Sequence, residues 1–217
     1  DELSKLADVI RKHKDVFILS DDIYEHILYK NTKFTNILNI SPDLFDRTFI
    51  VNGVSKVFSM TGWRIGYGAG HKDLIKSISK IQSQCTTNPC SISQMAAMFA
   101  LENEKTFLKD WLVKFEDRKN FLVDFFSSIP GFKPFIPQGA FYLYVSCAGF
   151  IGKKYNDDRI ISNDLDFSEF LLNHANVAVV PGIAFGKSPY FRLSYATSLE
   201  KLKKACLQIE ESLKKLF

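Results

Sequence analysis

An α/β fold is expected for this chain, on three observations. Short apolar runs rich in β-formers end abruptly in polar residues, amphipathic helical stretches follow them, and beyond Pro130 the pattern changes to shorter strands mixed with helices. Leu3, Leu6, Ala7 and Ile10 fall at helical spacing, so the chain opens on an amphipathic helix. Asp15 to Ser20 is apolar throughout its middle and reads as a strand buried on both faces, ending in Ser20-Asp21-Asp22-Ile23-Tyr24. A second strand, Arg47 to Val51, stops at Asn52-Gly53, and a third, Trp63 to Tyr67, stops at Gly68-Ala69-Gly70. Helices are expected from Lys72 to about Gln84, from Ser91 to about Leu101, and from Glu104 to about Ser128. The last carries Phe107, Leu108, Trp111, Leu112 and Phe115 on one face and ends at Ile129-Pro130-Gly131. Strands then follow over Phe135 to Tyr144, Val177 to Val180 and Tyr190 to Ser194, with a helix at about Phe167 to Asn173 and a final amphipathic helix from Ser198 to Phe217. Two regions result, a larger α/β part over 1–108 and, over 109–217, a long connecting helix with a smaller α+β part.

Composition narrows the function. With 46% hydrophobic and 24% charged residues in 217, the chain can bury a core and is not a disordered sequence. The net charge of +4 is spread without a basic block, which argues against a nucleic-acid partner. No apolar run reaches the roughly 18 residues of a membrane span, so no membrane partner is expected. The spacing of Cys85, Cys90, Cys147 and Cys206 fits no zinc or redox motif, and reduced thiols in a cytoplasmic protein are the expectation. His13, His26, His71 and His174 are scattered without ligand spacing, so no metal site is expected. The 20 phenylalanines are read mainly as core. Lys153-Lys154 with Asp157-Asp158-Arg159 reads as an exposed loop.

The chemistry-bearing residues gather at strand ends. Lys56 lies just past the second strand among small residues, where desolvation would favour a neutral, nucleophilic amine able to form a Schiff base. Most lysines are merely solvated, so Lys56 gains meaning only from its context. Asp21 ends the first strand and Tyr24 follows three residues on, at the edge where open α/β sheets bind ligands. A carboxylate there can keep a pyridine nitrogen protonated and a phenol can tune the ring, but Asp21 or Asp22 equally suits a turn cap. Arg64 follows Lys56 by eight residues, and Arg192 sits between Phe191 and Leu193 on a strand.

Ser20 to His26, Asn52 to Lys56 and Ser59 to Gly66, followed by Gln82 to Gln94, Pro137 to Tyr142, Val179 to Gly182 and Phe191 to Ala196, resemble the fold-type-I pyridoxal-phosphate aminotransferases. The bacterial aspartate (aspartate/prephenate) aminotransferase group is the nearest in pattern. The likeness runs in order through essentially the whole chain, and collinear motifs are a far stronger signal than any one of them. It implies part of the large pyridoxal 5'-phosphate domain followed by the small C-terminal domain.

The resemblance also implies roles. Lys56 is similar to the lysine that holds the cofactor as a Schiff base and shuttles the substrate's α proton. Asp21 resembles the partner of the pyridine nitrogen, and Tyr24 the tyrosine at the ring oxygen. Arg64 looks like the arginine that grips the cofactor phosphate, with Ser55 adding a hydroxyl. Arg192 resembles the arginine that receives the substrate α-carboxylate in a bidentate pair. Phe141 and Tyr142 are placed where substrate could touch them. Gly53 stands where many relatives have a phosphate-binding serine, so a differently built phosphate cup is expected. The implied reaction passes an amino group from aspartate to 2-oxoglutarate, between amino acid and 2-oxo acid substrates. A cytoplasmic homodimer is implied, with Thr86-Thr87-Asn88 reaching the neighbour's site. The family's N-terminal half would precede Asp1, and without it a sheet edge and part of the core would be uncovered and activity absent. A non-catalytic remnant and a different pyridoxal-phosphate reaction are the alternatives.

Overall fold

The computed structural model describes residues 2–30, 32–103, 105–155 and 159–217. The chain divides into two units, residues 1–108 and 109–217.

The first unit begins with α1 (Glu2–Arg11) and β1 (Ile18–Asp21), then a short α2 (Ile37–Ile40), β2 (Thr48–Gly53) and β3 (Gly66–Gly70). Two longer helices, α3 (Lys72–Cys85) and α4 (Ser91–Glu102), complete it. β1 and β2 pair in parallel, with Asp21 opposite Val51, while β2 and β3 are antiparallel, with Gly53 opposite Gly66. One small core packs Ala7, Ile37 and Leu44 with Leu3, Ile10 and Ile18. A second packs Val54, Ile65 and Ala97 with Phe58 and Met60. Arg47 donates to the carbonyls of Ile10, His13 and Val16, closing the carboxyl end of α1 where intrahelical partners run out.

Several expectations need correction. The first strand is not buried on both faces: Phe17 is 73% and Leu19 69% exposed, because among the described residues no helix is laid over that side. The third strand begins three residues later than expected. Thr61–Trp63 instead form a 3₁₀ turn, and Arg64 takes a left-handed conformation (φ 56°, ψ 45°) that reverses the chain before β3.

The second unit contains α5 (Leu108–Ser128), whose first residue closes the preceding unit, then β4 (Lys133–Phe135) and β5 (Tyr142–Ser146). It continues with β6 (Lys154–Tyr155), β7 (Arg159–Ile160), α6 (Asp164–Phe170), β8 (Val180–Pro181), β9 (Tyr190–Ser194) and α7 (Leu199–Leu213). An antiparallel sheet runs in the order β4-β5-β9-β8. Phe107 precedes α5 rather than lying on it, and the continuous strand expected over Phe135–Tyr144 is broken by Pro137 to Ala140, with Ala140 at φ 56°. Only the last residue of the Val177–Val180 run pairs as a strand. α6 starts earlier than expected, at Asp164, with the Asn163 side chain capping it through the Asp166 amide, and passes into a widened π turn over Leu171–Ala175. In α7, Ser198 caps the amide of Lys201, and Leu202, Cys206 and Ile209 are buried at helical spacing.

The phenylalanine core is real in this unit. Phe126, Phe132, Phe150, Phe167 and Phe191 form a ring cluster, with centroids 5.0 Å apart for Phe126–Phe132 and 4.5 Å for Phe132–Phe150. Phe17, Phe99, Phe135 and Phe185, in contrast, are exposed. Lys153 and Lys154 are half-buried rather than in an exposed loop, and the backbone of Lys154 exchanges hydrogen bonds with Phe217. Asp157 and Asp158, read with them as a turn, lie outside the described residues. All four cysteines are unpaired. Burial pushes the Cys147 and Cys206 thiols up to about 12, so both stay protonated. Among the described residues no helix is long and apolar enough to cross a membrane.

Candidate active site

The parallel register of β1 and β2 brings their carboxyl ends side by side. The Asp22 amide donates to the Val51 carbonyl at 3.0 Å, carrying the pairing one step past the strand before the chain turns away. At the neighbouring position the antiparallel pairing of Gly53 with Gly66 delivers the start of β3 to the same edge, two residues after Arg64. The ends of three strands therefore meet. Asp21, Ile23, Tyr24, Val51, Asn52, Ser55, Lys56, Thr61 and Arg64 line one open cavity of about 450 Å³ there.

Local structure decides which side chains face it. Val54 and Val57 are buried on either side of Ser55 and Lys56, and the turn is held by Phe58 N–H donating to the Val54 carbonyl at 3.3 Å. Ser55 and Lys56 are left half-buried on the cavity side. Between the neighbouring aspartates the labour is divided. Asp22 is buried and accepts from the Ser20 hydroxyl at 2.8 Å and the Asn36 amide at 3.2 Å, a structural assignment. Asp21 accepts from Ile23 N–H at 3.2 Å, so it does cap the turn, while its carboxylate remains on the cavity wall. The turn-cap reading of that carboxylate is thus met, and its place in the cavity lining leaves it able to face a ligand as well. Arg64 donates from Nη1 to the Thr61 carbonyl at 2.9 Å, which restrains its side chain beside the cavity. The left-handed backbone at Arg64 costs a residue with a Cβ roughly 1–2 kcal/mol, and strain of this kind concentrates where geometry serves a site.

Gly53 is explained by packing. A Cβ at that position would lie 2.9 Å from the Ile65 carbonyl oxygen and 3.2 Å from the Gly66 Cα, so β2 and β3 approach too closely there for a serine. Thr61, with its hydroxyl-bearing side chain on the cavity wall, was not singled out from sequence; its place three residues before Arg64 was the available signal. Asn52 was also missed: its amide donates to Glu25 at 2.8 Å and its oxygen accepts from Gly53 N–H, tying the Tyr24 turn to the end of β2.

Five of the six residues singled out from sequence thus share one cavity in the first unit; the sixth, Arg192, belongs to the second. It lies on β9 opposite Tyr144, half-buried, with its guanidinium carbon 4.4 Å from the Tyr142 ring centre and 4.1 Å from that of Phe185. Such stacking holds the charged plane while leaving its N–H groups able to meet a carboxylate. Tyr142 was noted from sequence; Phe185 was not, since nothing local relates it to Arg192. Thr86, Thr87 and Asn88 are exposed, with Thr87 in a left-handed conformation.

An amine, a carboxylate, a phenol, hydroxyls and a guanidinium around one cavity are the donor set that an aldehyde-bearing phosphorylated pyridine requires, so the residues present fit pyridoxal phosphate. The model of aminotransferases of classes I and II matches residues 1–209, and the chain belongs to that family. Its curated relatives include a probable aspartate/prephenate aminotransferase of Rickettsia bellii, 51% identical over 97% of this chain and 53% of that protein. An aspartate aminotransferase of Rhizobium meliloti is 46% identical over 97% of this chain and 52% of its own length. Among solved structures, the aspartate aminotransferase of Rhizobium meliloti superposes with a TM-score of 0.94 at 45% identity, covering 98% of this chain and 53% of that one. The aromatic aminotransferase of Pyrococcus horikoshii gives 0.86 at 35% identity, covering 98% and 54%. The chain therefore spans about half the length of the curated relatives it matches.

Proposed function

We propose that this chain supplies the lysine-bearing strand edge and the carboxylate-binding arginine of a pyridoxal-phosphate-dependent aminotransferase that takes the amino group of aspartate and passes it to 2-oxoglutarate. The observation that carries this reading is the cavity at which Lys56, Asp21, Tyr24, Ser55 and Arg64 meet. Bound there, the cofactor would supply an aldehyde and a protonated ring able to take up the electron pair left when the substrate's α C–H bond breaks. Lys56 would hold the aldehyde carbon and, once displaced by the substrate amine, carry the α proton. Asp21 would keep the proton on the ring nitrogen, and Tyr24 would hydrogen-bond the ring oxygen. Arg64 would pair with the phosphate as a permanently charged fork, with Ser55 donating beside it. Arg192 would receive the substrate α-carboxylate and so orient the α C–H toward the base.

Aspartate is named for both sets of relatives, which supports it as donor. Prephenate as acceptor is a second reading, favoured by the names of the Rickettsia relatives at 50–51% identity. The exposed apolar side chains of Leu19 on β1 and of Ile92, Met95 and Phe99 on α4 favour a chain that works covered, within a longer enzyme and a homodimer, and one that is inactive alone; a cytoplasmic location is part of the same proposal. The test is a two-acceptor assay of the holoenzyme containing this segment, with aspartate as donor. Oxaloacetate formation with 2-oxoglutarate supports the main reading, formation with prephenate alone supports the second, and formation with neither rejects both.

A further inference from the structure

Asp164 is the first residue of α6 and is 1% exposed. Its two carboxylate oxygens are both used: one accepts from Ile183 N–H at 2.6 Å and the other from the Ser188 hydroxyl. These partners lie near the two ends of the turn Gly182–Phe185 and its continuation to Ser188, so one buried side chain ties the turn together. Tyr144 braces the same segment, its hydroxyl lying 3.2 Å from the Gly182 carbonyl and 3.0 Å from that of Lys187 as donor. Burial, and then the negative charge of Asp164, push the Tyr144 phenol up, so it keeps the proton it donates. A Cβ at Gly182 would collide with the Lys187 carbonyl oxygen, which shows how tightly the segment is closed. At the tip of this turn stands Phe185, whose ring packs on the Arg192 guanidinium.

We propose that Asp164 is a positioning residue for carboxylate recognition: by fixing the 182–188 turn it holds Phe185 against Arg192 and thereby sets the orientation in which the guanidinium meets a substrate carboxylate. The inference rests on the reading of Arg192 given above. Asp164 itself touches no substrate. Its action runs through two hydrogen bonds to the turn, the turn to one ring, and the ring to one cation. Loss of the carboxylate leaves the part-buried Ile183 N–H without the acceptor that fixes it, so the turn relaxes to reach another and the ring leaves the guanidinium.

The experiment measures KM and kcat for aspartate, and the Kd of the unreactive dicarboxylate maleate, in the holoenzyme containing this segment. Asp164→Ala is expected to raise KM and the maleate Kd ~10-fold with kcat within about threefold, the pattern of lost uniform binding. Asp164→Asn retains an acceptor for Ile183 N–H and a donor toward the Ser188 oxygen, and is expected to restore KM to within about threefold of wild type. Ser188→Ala removes only one of the two bonds and serves if Asp164→Ala does not fold, with an expected rise of about threefold. In a Phe185→Leu background, Asp164→Ala should add less than about twofold, because the ring through which it acts is gone. An undiminished penalty in that background, an unchanged KM in both Asp164→Ala and Ser188→Ala, or a fall confined to kcat overturns the proposal. Arg192→Lys is the control: if it leaves KM and the maleate Kd unchanged, the carboxylate reading of Arg192 fails and the proposal falls with it, whereas a raised KM there with normal Asp164→Ala and Ser188→Ala values rejects the positioning role alone.

Discussion

The two units are nearly equal in length, and both leave some large apolar side chains exposed, but they differ in the core they build. In residues 109–217, Phe126, Phe167, Phe170, Phe191 and Tyr195 are essentially inaccessible; Phe191 meets Phe126 edge-on and Phe167 tilted, and Phe167 stacks on Phe170, offset and edge-to-face arrangements that aromatic quadrupoles favour. In residues 1–108 the large apolar side chains are largely outside: Phe17, Leu19, Ile81, Ile92, Met95 and Phe99 are all exposed, and the buried clusters are small. Yet the less well-packed unit carries the polar cavity. The difference teaches that a candidate site can be organised mainly by backbone pairing and turns, with only a small buried cluster beside it. Strand register and two short turns place Asp21, Lys56 and Arg64, and none of them depends on a large core in its own unit. Arg192 is organised in the other manner, by side chains, between Tyr142 and Phe185 and above a sheet whose reverse face is packed.

The comparison can be broken at several points. In the holoenzyme, Asp21→Ala should lower kcat by roughly 10²-fold or more while cofactor is retained, because the electrostatic support of the ring is lost and the holding residues remain. A rate close to wild type would show that the cavity wall at the end of β1 has no part in the chemistry. For stability the contrast lies between Phe126→Ala and Phe99→Ser. The first should destabilise residues 109–217 by about 3–5 kcal/mol, since it opens a hole in a closed aromatic cluster. In the isolated chain the second should change stability by no more than about 0.5 kcal/mol, as expected for a side chain already in solvent. Denaturant unfolding read in each unit distinguishes them, and equal losses would mean that the two cores do not differ as described.

A smaller effect concerns His174, which packs against Phe170 and Tyr155. Burial, followed by the positive charges of Lys215 and Arg159, holds its imidazole below the usual 6.5. The unfolded chain therefore takes up this proton before the folded one does. The stability contributed by neutral His174 is complete above about 6.5 and declines as pH falls from there toward the lowered folded value. Unfolding midpoints of residues 109–217 should drop on acidification through that window, and His174→Gln should flatten the slope; an unchanged slope contradicts the assignment.

Much of the site was legible in the sequence because it is local. Asp21 and Tyr24 lie within one turn, Ser55 and Lys56 are adjacent, and both groups follow strands whose polar ends are visible as sharp changes of composition. Burial was less legible. The apolar run ending at Ser20 reads as a doubly covered strand because periodicity reports side-chain type, not which neighbours arrive to cover it. The late start of β3 follows from the left-handed Arg64, which no propensity scale anticipates in a residue with a Cβ. Phe185 and Asp164 escaped notice for a related reason: Phe185 meets Arg192 by ring packing across a loop, and Asp164 accepts hydrogen bonds from residues 19 and 24 positions away, relations that periodicity does not report.

The most direct test treats the holoenzyme containing this segment with borohydride and maps the pyridoxyl group by peptide sequencing, alongside Lys56→Ala. Label on Lys56, absent in the variant together with transamination, is the predicted result. Label on another lysine, or transamination that survives Lys56→Ala at a rate close to wild type, would contradict the assignment of the strand-edge cavity as the cofactor site.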